Sequence, residues 1–346
     1  MHNKIYLSFK VDPPQVFHTY AYHKKRAEKI DYVKNGTVTD AFHENIQRTA
    51  TQMAMILGIQ EDYGCILLDD LPSVLRMLLS LSGKELTLVG SDNFYNIIHQ
   101  ALSEDAPVIH FHKALGAIPA NEFPVMLEDV NPYTGKKVFR DNLNIELLLQ
   151  DTSILHLDIS YSAPAGLDHL KQMASICFRT QYGFGMGEDL VVWFLRKDLY
   201  DRVKSFLEDT GQSSGFLLSC GGNCLLPHAL EYQKIYILGK IVEDMLNRGI
   251  KMIDNEITYK SIILRNAIEN NKNLNLLVRD AHNQSRNIIC AESGRSPEET
   301  IRFFTEHGIE LDVYQGSGNS AILRMGNYLV HSKEQMEYLA DILEKF

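Results

Sequence analysis

Short apolar runs alternate with amphipathic stretches over the chain up to about residue 200. Phe42, Ile46, Ala50, Met53 and Leu57 recur every three or four residues and predict a helix over 39–57, which Gly58 stops. A strand-like run follows at 63–68, then a helix over 74–81 with Pro72 near its first turn. Strands are predicted at 85–89, 108–112 and 124–127, and a helix from Asn93 to about Leu102. The run Ser153-Ile154-Leu155-His156-Leu157 predicts a strand that ends on Asp158, and 190–195 predicts a second buried one. Between those two lies a glycine-spaced turn, Gln181-Tyr182-Gly183-Phe184-Gly185-Met186-Gly187. Strands alternating with helices imply an α/β fold with a largely parallel sheet. An acid at a strand end, with a tight turn before the next strand, is how such sheets build ligand crevices.

The C-terminal part has another texture. An amphipathic helix is predicted over 229–248, with Leu230, Ile237, Ile241 and Met245 on one face. A strand at 286–290 precedes Ser296-Pro297-Glu298-Glu299, a capping box that opens a helix to His307, stopped by Gly308. Ser332 and Gln335 form a second box, opening a final helix to Phe346. These elements predict a large α/β domain over 1–250 and a small α+β domain over 251–346. The extended segment 4–11, ended by Pro13-Pro14, is expected to pack on the small domain. No internal repeat or low-complexity tract interrupts the pattern.

At 346 residues the chain has room for two domains. A net charge of −10 argues against a nucleic-acid surface, which needs clustered Lys and Arg. The one basic cluster, His23-Lys24-Lys25-Arg26, reads as a solvated helix face. No apolar stretch is long enough for a membrane span, and no signal peptide opens the chain. Five scattered cysteines fit a reducing cytoplasm. The glycines at 183–187 lack dinucleotide-loop spacing and precede a strand. His110 and His112 share a strand face without a third ligand nearby, and read as structural. Cys220 and Cys224 read as ordinary thiols. Asp69-Asp70 reads as a helix-start carboxylate pair favoured by the dipole.

Several stretches carry a resemblance: Leu57-Gly58-Ile59-Gln60-Glu61-Asp62-Tyr63, Ile235-Tyr236-Ile237-Leu238-Gly239-Lys240, residues 181–190, and Leu323-Arg324-Met325-Gly326-Asn327-Tyr328 through Ser332-Lys333-Glu334-Gln335. Over nearly its whole length the chain resembles the class V aminotransferases. These are the phosphoserine-aminotransferase-like branch of fold-type I enzymes that use pyridoxal 5′-phosphate (PLP). The resemblance implies a mainly parallel seven-stranded sheet in the large domain, a small C-terminal domain, and a homodimer with sites at the interface. It also implies PLP as cofactor. Asp158 matches the carboxylate facing the pyridine nitrogen, although it can equally cap its strand end. Phe94 or Tyr95 matches the aromatic stacked on the ring, and Gln181 and Ser73 fall at cofactor-contacting positions. Arg324 matches the arginine that binds the substrate carboxylate, or pairs with an acid inside the fold.

The chain also departs from the family it resembles. Tyr182 stands where the Schiff-base lysine should follow the glutamine, and tyrosine cannot form an imine. The glycine-rich phosphate loop is Asp69-Asp70-Leu71-Pro72-Ser73, whose carboxylates would repel a phosphate. The Asn-Glu-Thr turn appears as Val130-Asn131-Pro132, and the Ser-His-Arg stretch as Gly36-Thr37-Val38. The interface Thr-Pro segment is Asn223-Cys224-Leu225, and the phosphoserine-binding His-Arg pair is Ser317-Gly318. Two expectations follow. One is a non-catalytic homologue, a cytoplasmic homodimer that binds a partner or a small amino-acid-like ligand. The other is a PLP enzyme that holds the cofactor without that lysine, or recruits Lys10, Lys136 or Lys197.

Overall fold

A nine-stranded sheet forms the larger layer. The computed structural model describes residues 7–11, 16–34, 37–59, 63–82, 85–101, 108–112, 125–137, 155–164, 170–188, 190–209, 217–219, 224–227 and 232–346. In chain order the strands are β1 (Tyr63–Leu68), β2 (Glu85–Val89), β3 (Val108–His112), β4 (Val125–Glu128), β5 (Leu155–Asp158), β6 (Ser175–Arg179), β7 (Val191–Arg196), β8 (Leu217–Ser219) and β9 (Cys224–Pro227). Across the sheet they run β8-β9-β1-β7-β6-β5-β4-β2-β3. Strands β6, β5, β4, β2 and β3 are parallel, whereas β7 is antiparallel to both its neighbours. The hairpin β8–β9 adds two strands at one edge beyond the seven expected.

Burial on both faces explains why these strands read as unbroken apolar runs. One face packs Leu155, Leu157, Ile176 and Val192 against helices α1 (Tyr20–Ala27), α2 (Asp40–Leu57) and the later α6 (Tyr232–Arg248). The other packs Ile66, Leu88, Met126 and Trp193 against α3 (Leu71–Ser82), α4 (Asp92–Ala101) and α5 (Lys197–Asp209). Trp193 is fully buried, and its indole N–H donates to Ser175 Oγ at 2.7 Å. Gly58 ends α2 in the left-handed region, φ 71°, as its position after the last apolar residue predicts.

A second, four-stranded antiparallel sheet follows: β10 (Leu274–Leu276), β11 (Ile288–Ser293), β12 (Asp312–Gln315) and β13 (Ala321–Gly326), ordered β10-β11-β13-β12. Helices α7 (Ile250–Asn270), α8 (Pro297–Glu306) and α9 (Lys333–Lys345) accompany it, and both predicted capping boxes are formed. The N-terminal Leu7–Ser8 pairs in parallel with Ile309–Glu310 beside this sheet. Among the described residues, no helix is long and apolar enough to cross a membrane.

The hydrophobic pattern does not predict helix α7 or strands β6, β8, β9, β10, β12 and β13, and one expectation needs correcting. His23 does not lie on a solvated face: it is 7% exposed, with Nε2 3.3 Å from Asp244. The inward side of α1 claims it, while Lys24 pairs outside with Glu188 at 2.7 Å. Expectations at 4–6, 12–15, 36, 102, 124, 153–154, 220, 223 and 228–231 lie outside the described residues.

One buried cation ties this second layer together. Lys260 of α7 has no exposed surface, and its ammonium donates to Tyr328 O at 3.0 Å and His331 O at 2.8 Å. Glu256 Oε1 lies 3.3 Å away. Burial pushes the Lys260 pKa down to about 8, against the pull of Glu256. The unfolded chain therefore binds more protons between about pH 8 and 10.5, so this group makes stability rise with pH across that window. Lys260→Met is expected to remove that rise, lowering the slope by up to about 1.4 kcal/mol per pH unit. Urea denaturation of both proteins at pH 8, 9 and 10 measures it; equal slopes contradict the assignment.

Candidate functional site

Parallel pairing brings the carboxyl ends of β4, β5 and β6 to one edge of the sheet, and the candidate residues gather there. Asp158, the last residue of β5, lies opposite Glu128 on β4 and Cys177 on β6. Its Oδ1 accepts from the Ser160 backbone at 2.9 Å and from Ser160 Oγ at 2.6 Å. Ser160 Oγ in turn accepts from the Arg179 backbone at 3.0 Å. Asp158 thus caps its strand end, one of the two roles open to it.

Two further buried acids sit beside it. Glu128 accepts from the backbone and hydroxyl of Ser91 at 2.7 and 3.2 Å, and Asp129 accepts from Ser162 Oγ. Burial raises Glu128 to about 8 against the Ser91 donors, and the charges of Asp158 and Asp129 raise it further. Burial raises Asp129 to about 7; Lys137 opposes the shift and Asp158 adds to it. Cys177, also buried and facing Asp158, is raised well above the ordinary thiol value. Burial and mutual repulsion thus favour the protonated form of Glu128 at neutral pH and raise Asp129 toward it. Among the described residues, no group of three His, Cys, Asp or Glu is arranged to hold a metal.

Tyr182 sits in the turn after β6 and is 1% exposed. Gly185, at φ 58°, lets the turn close, and an added Cβ at Gly183 would strike the Ala163 carbonyl. The Tyr182 hydroxyl accepts from Arg179 Nη1 at 3.1 Å and from the Tyr161 hydroxyl at 3.4 Å. The Tyr161 and Tyr328 rings lie 4.6 and 6.3 Å away, and the Arg179 guanidinium 5.3 Å from the Tyr182 ring centre. Aromatic packing thus surrounds Tyr182. Gln181 beside it is half-buried.

Arg324, on β13, is 2% exposed and lies opposite Asp312 of β12. Its Nε and Nη2 donate to Asp312 Oδ2 at 3.2 and 2.9 Å, and Nη1 to the Pro132 carbonyl at 3.4 Å. The guanidinium sits 5.2 Å from the Tyr133 ring centre and 5.1 Å from that of Tyr314. The Val11 backbone also donates to Asp312 Oδ2, at 2.8 Å. Of the two partners open to Arg324, it takes the acid inside the fold. A surface groove of about 370 Å³ is lined by Lys10, Ile301, Phe304, Glu310, Asp312 and Tyr314.

At the start of α3 the Asp70 carboxylate accepts from the Ser73 backbone at 2.7 Å, as an N-cap does. Arg76 Nη2 lies 3.7 Å from Asp70 and donates to Ser73 Oγ at 2.9 Å. Pro72 has no N–H to offer. Asp69 lies 3.8 Å from Lys234 Nζ. The expectation of a helix-start carboxylate is met at Asp70.

Phe94 is 2% exposed and lies beside the acid cluster, its backbone N–H donating to Ser91 Oγ at 3.2 Å, whereas the other candidates lie apart; Tyr95 packs on Phe111 at 4.9 Å. Asn131 closes a turn by accepting from the Tyr133 and Thr134 backbones. Ser317 donates to Glu292 at 3.0 Å, and Gly318 takes φ 63°. Lys10 lies 3.3 Å from Glu310, Lys136 is exposed, and Lys197 follows β7 at the sheet edge opposite Asp158. His110, on edge strand β3, lies 3.4 Å from Glu85. Glu128, Asp129, Tyr161, Arg179 and Asp312 were missed. Two acids directly after an apolar run were the only signal at 128–129.

The architecture is that of fold-type I PLP-dependent transferases. A phosphoserine aminotransferase from Cytophaga hutchinsonii superposes with a TM-score of 0.82 at 18% identity, over 99% of each chain. An alanine–glyoxylate aminotransferase from Nostoc sp. superposes with 0.77 at 13% identity, over 98% of this chain and 94% of that one. A phosphoserine aminotransferase from Bacillus circulans subsp. alkalophilus gives 0.73 at 15% identity, over 97% of each. Identities this low establish the shared fold. No protein-family model matches the chain, and no curated protein sequence does.

The acid cluster makes a pH prediction. Glu128 titrates near 4.5 unfolded and about 8 folded, so the folded state binds the extra proton in between and stability falls as pH rises across that window. Glu128→Gln is expected to flatten the fall by up to about 1.4 kcal/mol per pH unit. Denaturation midpoints of both proteins from pH 5 to 8 check it; parallel curves contradict the assignment.

Proposed function

We propose that the chain is a non-catalytic homologue of the class V aminotransferases, acting as a binding or regulatory protein, with a homodimeric state and a cytoplasmic location. The observation that carries this reading is that the groups receiving anions in the fold are met from within the chain. Asp312 pairs with Arg324, and Asp70 caps α3 where a phosphate would need donors. Tyr182 supplies no amine, and its hydroxyl is held by Arg179 and Tyr161. These residues do not fit PLP: its phosphate dianion would meet a carboxylate cap and Pro72, and its aldehyde would meet a phenol.

Lys10, Lys136 and Lys197 do not rescue the active alternative, given the Glu310 partner, the surface position and the opposite sheet edge noted for each. A small amino-acid-like ligand could reach the fold only by competing with the Asp312 carboxylate. Purified protein mixed with PLP is expected to give no visible band beyond that of free PLP. Borohydride treatment is expected to leave no modified lysine by mass spectrometry. A stoichiometric lysine adduct contradicts the reading. Tyr182→Lys alone is expected to yield no transamination, because the α3 cap remains; clear turnover overturns the role given to Asp70.

A further inference from the structure

Strand β12 and the Ile309–Glu310 pair before it lie end to end, separated only by Leu311. Even-numbered residues of this run turn their backbone groups toward β13. The Gly308 and Glu310 carbonyls accept from Leu7 and Phe9 at 2.8 and 3.0 Å, and the Gly316 N–H donates to the Ser320 carbonyl at 2.9 Å. The Phe9 carbonyl accepts in turn from Gly326 of β13 at 2.8 Å, so the N-terminal segment lies on the β13 side of the run. Alternation along a strand then turns the N–H and C=O groups of Ile309, Leu311, Val313 and Gln315 to the opposite edge. β12 is the last strand of its sheet, and among the described residues no strand lies along that edge.

The 370 Å³ groove follows this edge. Every residue from 309 to 314 lines it, which places it along the strand rather than over one face, where only alternate residues would line it. Its other wall is Ile301, Phe304 and Thr305 of α8, and Ile301 is 48% exposed. Solvent-facing strand edges are ordinarily blunted by Lys, Pro or a bulge. The run 309–315 has no Lys, Arg or Pro, and alternates Ile309, Leu311 and Val313 with Glu310 and Asp312. An open edge is where a sheet accepts an extended peptide as an added strand.

We propose that the groove between α8 and the strand run 309–315 binds an extended segment of another protein, added as a further strand beside β12, with alternating aliphatic and basic side chains. Backbone pairing with Leu311 and Val313 supplies the main-chain contacts. Toward α8, the segment's aliphatic side chains meet Ile301, Phe304 and Val313. On the opposite face stand Glu310, whose side chain is 44% exposed beside Lys10, and Asp312. That face, on a chain of net charge −10, suits basic side chains. A second copy joined edge to edge would instead bring a further set of the same carboxylates alongside, which like-charge repulsion disfavours. The groove shares no residue with the acid cluster, so peptide binding there does not depend on whether the crevice is catalytic.

Fluorescence anisotropy with a labelled peptide of alternating valine and lysine tests it. Saturable binding at one peptide per chain is expected. The same peptide N-methylated along its backbone keeps its side chains and charge but loses its N–H donors, and is expected to bind about tenfold more weakly or worse. Val313→Pro removes an outward N–H without touching the ladder to β13, and is expected to weaken binding by about tenfold. Ile301→Lys, on the exposed wall, is expected to weaken it to a similar degree. Absence of saturable binding, equal affinity for the N-methylated peptide, or unchanged affinity in Ile301→Lys overturns the proposal. So does a wild-type assembly whose mass Val313→Pro lowers in sedimentation equilibrium, since a second copy is then the occupant. Ile301→Lys changes only an exposed position and remains informative if Val313→Pro folds poorly.

Discussion

The buried pair between Arg324 and Asp312 is the interaction on which the candidate site turns. A guanidinium with 2% exposure cannot stand alone in the interior; removing one partner of a buried pair typically costs about 3–5 kcal/mol. Asp312 meets that demand through strand register, since β12 and β13 place the two residues opposite each other. The same carboxylate accepts from the Val11 backbone, which joins the N-terminal segment to the second sheet. The guanidinium is thereby built into the packing.

A second internal carboxylate acts in the same way at the start of α3. The N-terminus of α3 offers donors and a favourable dipole, and Asp70 takes them. Tyr182 packs at a tilt between the Tyr161 and Tyr328 rings, with the Arg179 guanidinium over its own ring. Electrostatic and packing demands that a cofactor and substrate could meet are met by side chains instead. The buried acids Glu128, Asp129 and Asp158 fit this picture: they are held by Ser91, Ser162 and Ser160, and burial favours protonation of Glu128 and Asp129.

What could be read beforehand follows from how far apart the interacting groups lie. Capping boxes at Ser296 and Ser332 are three-residue signals, and both form. The Gly58 stop and the apolar runs of β1, β2 and β7 are equally local. Helix α7 escaped because its uncharged outer stripe blurs the contrast between buried and exposed faces, and only Gly249 separates it from α6. Strand β6 escaped because Ser175 and Arg179 end its apolar core with polar residues. Tyr182 and Asp158 were legible as a spacing. Their partners are local, Arg179 three residues before Tyr182 and Ser160 two after Asp158. The link between Ser160 and the Arg179 backbone, however, follows from the pairing of β5 with β6, and Asp312 from the register of β12 with β13. Burial of Glu128 and Asp129 depends on layers brought together from distant parts of the chain.

Removing the internal carboxylate tests the central claim directly. Asp312→Ala leaves Arg324 without its acid and frees the space that the carboxylate occupies. Thermal denaturation of wild type and variant should be followed with increasing sodium acetate, with sodium chloride at matched ionic strength as the control. The expected result is that acetate raises the melting temperature of Asp312→Ala well above its chloride control and leaves the wild type unmoved. Equal acetate stabilisation of both proteins would mean that Asp312 does not fill the carboxylate site of Arg324.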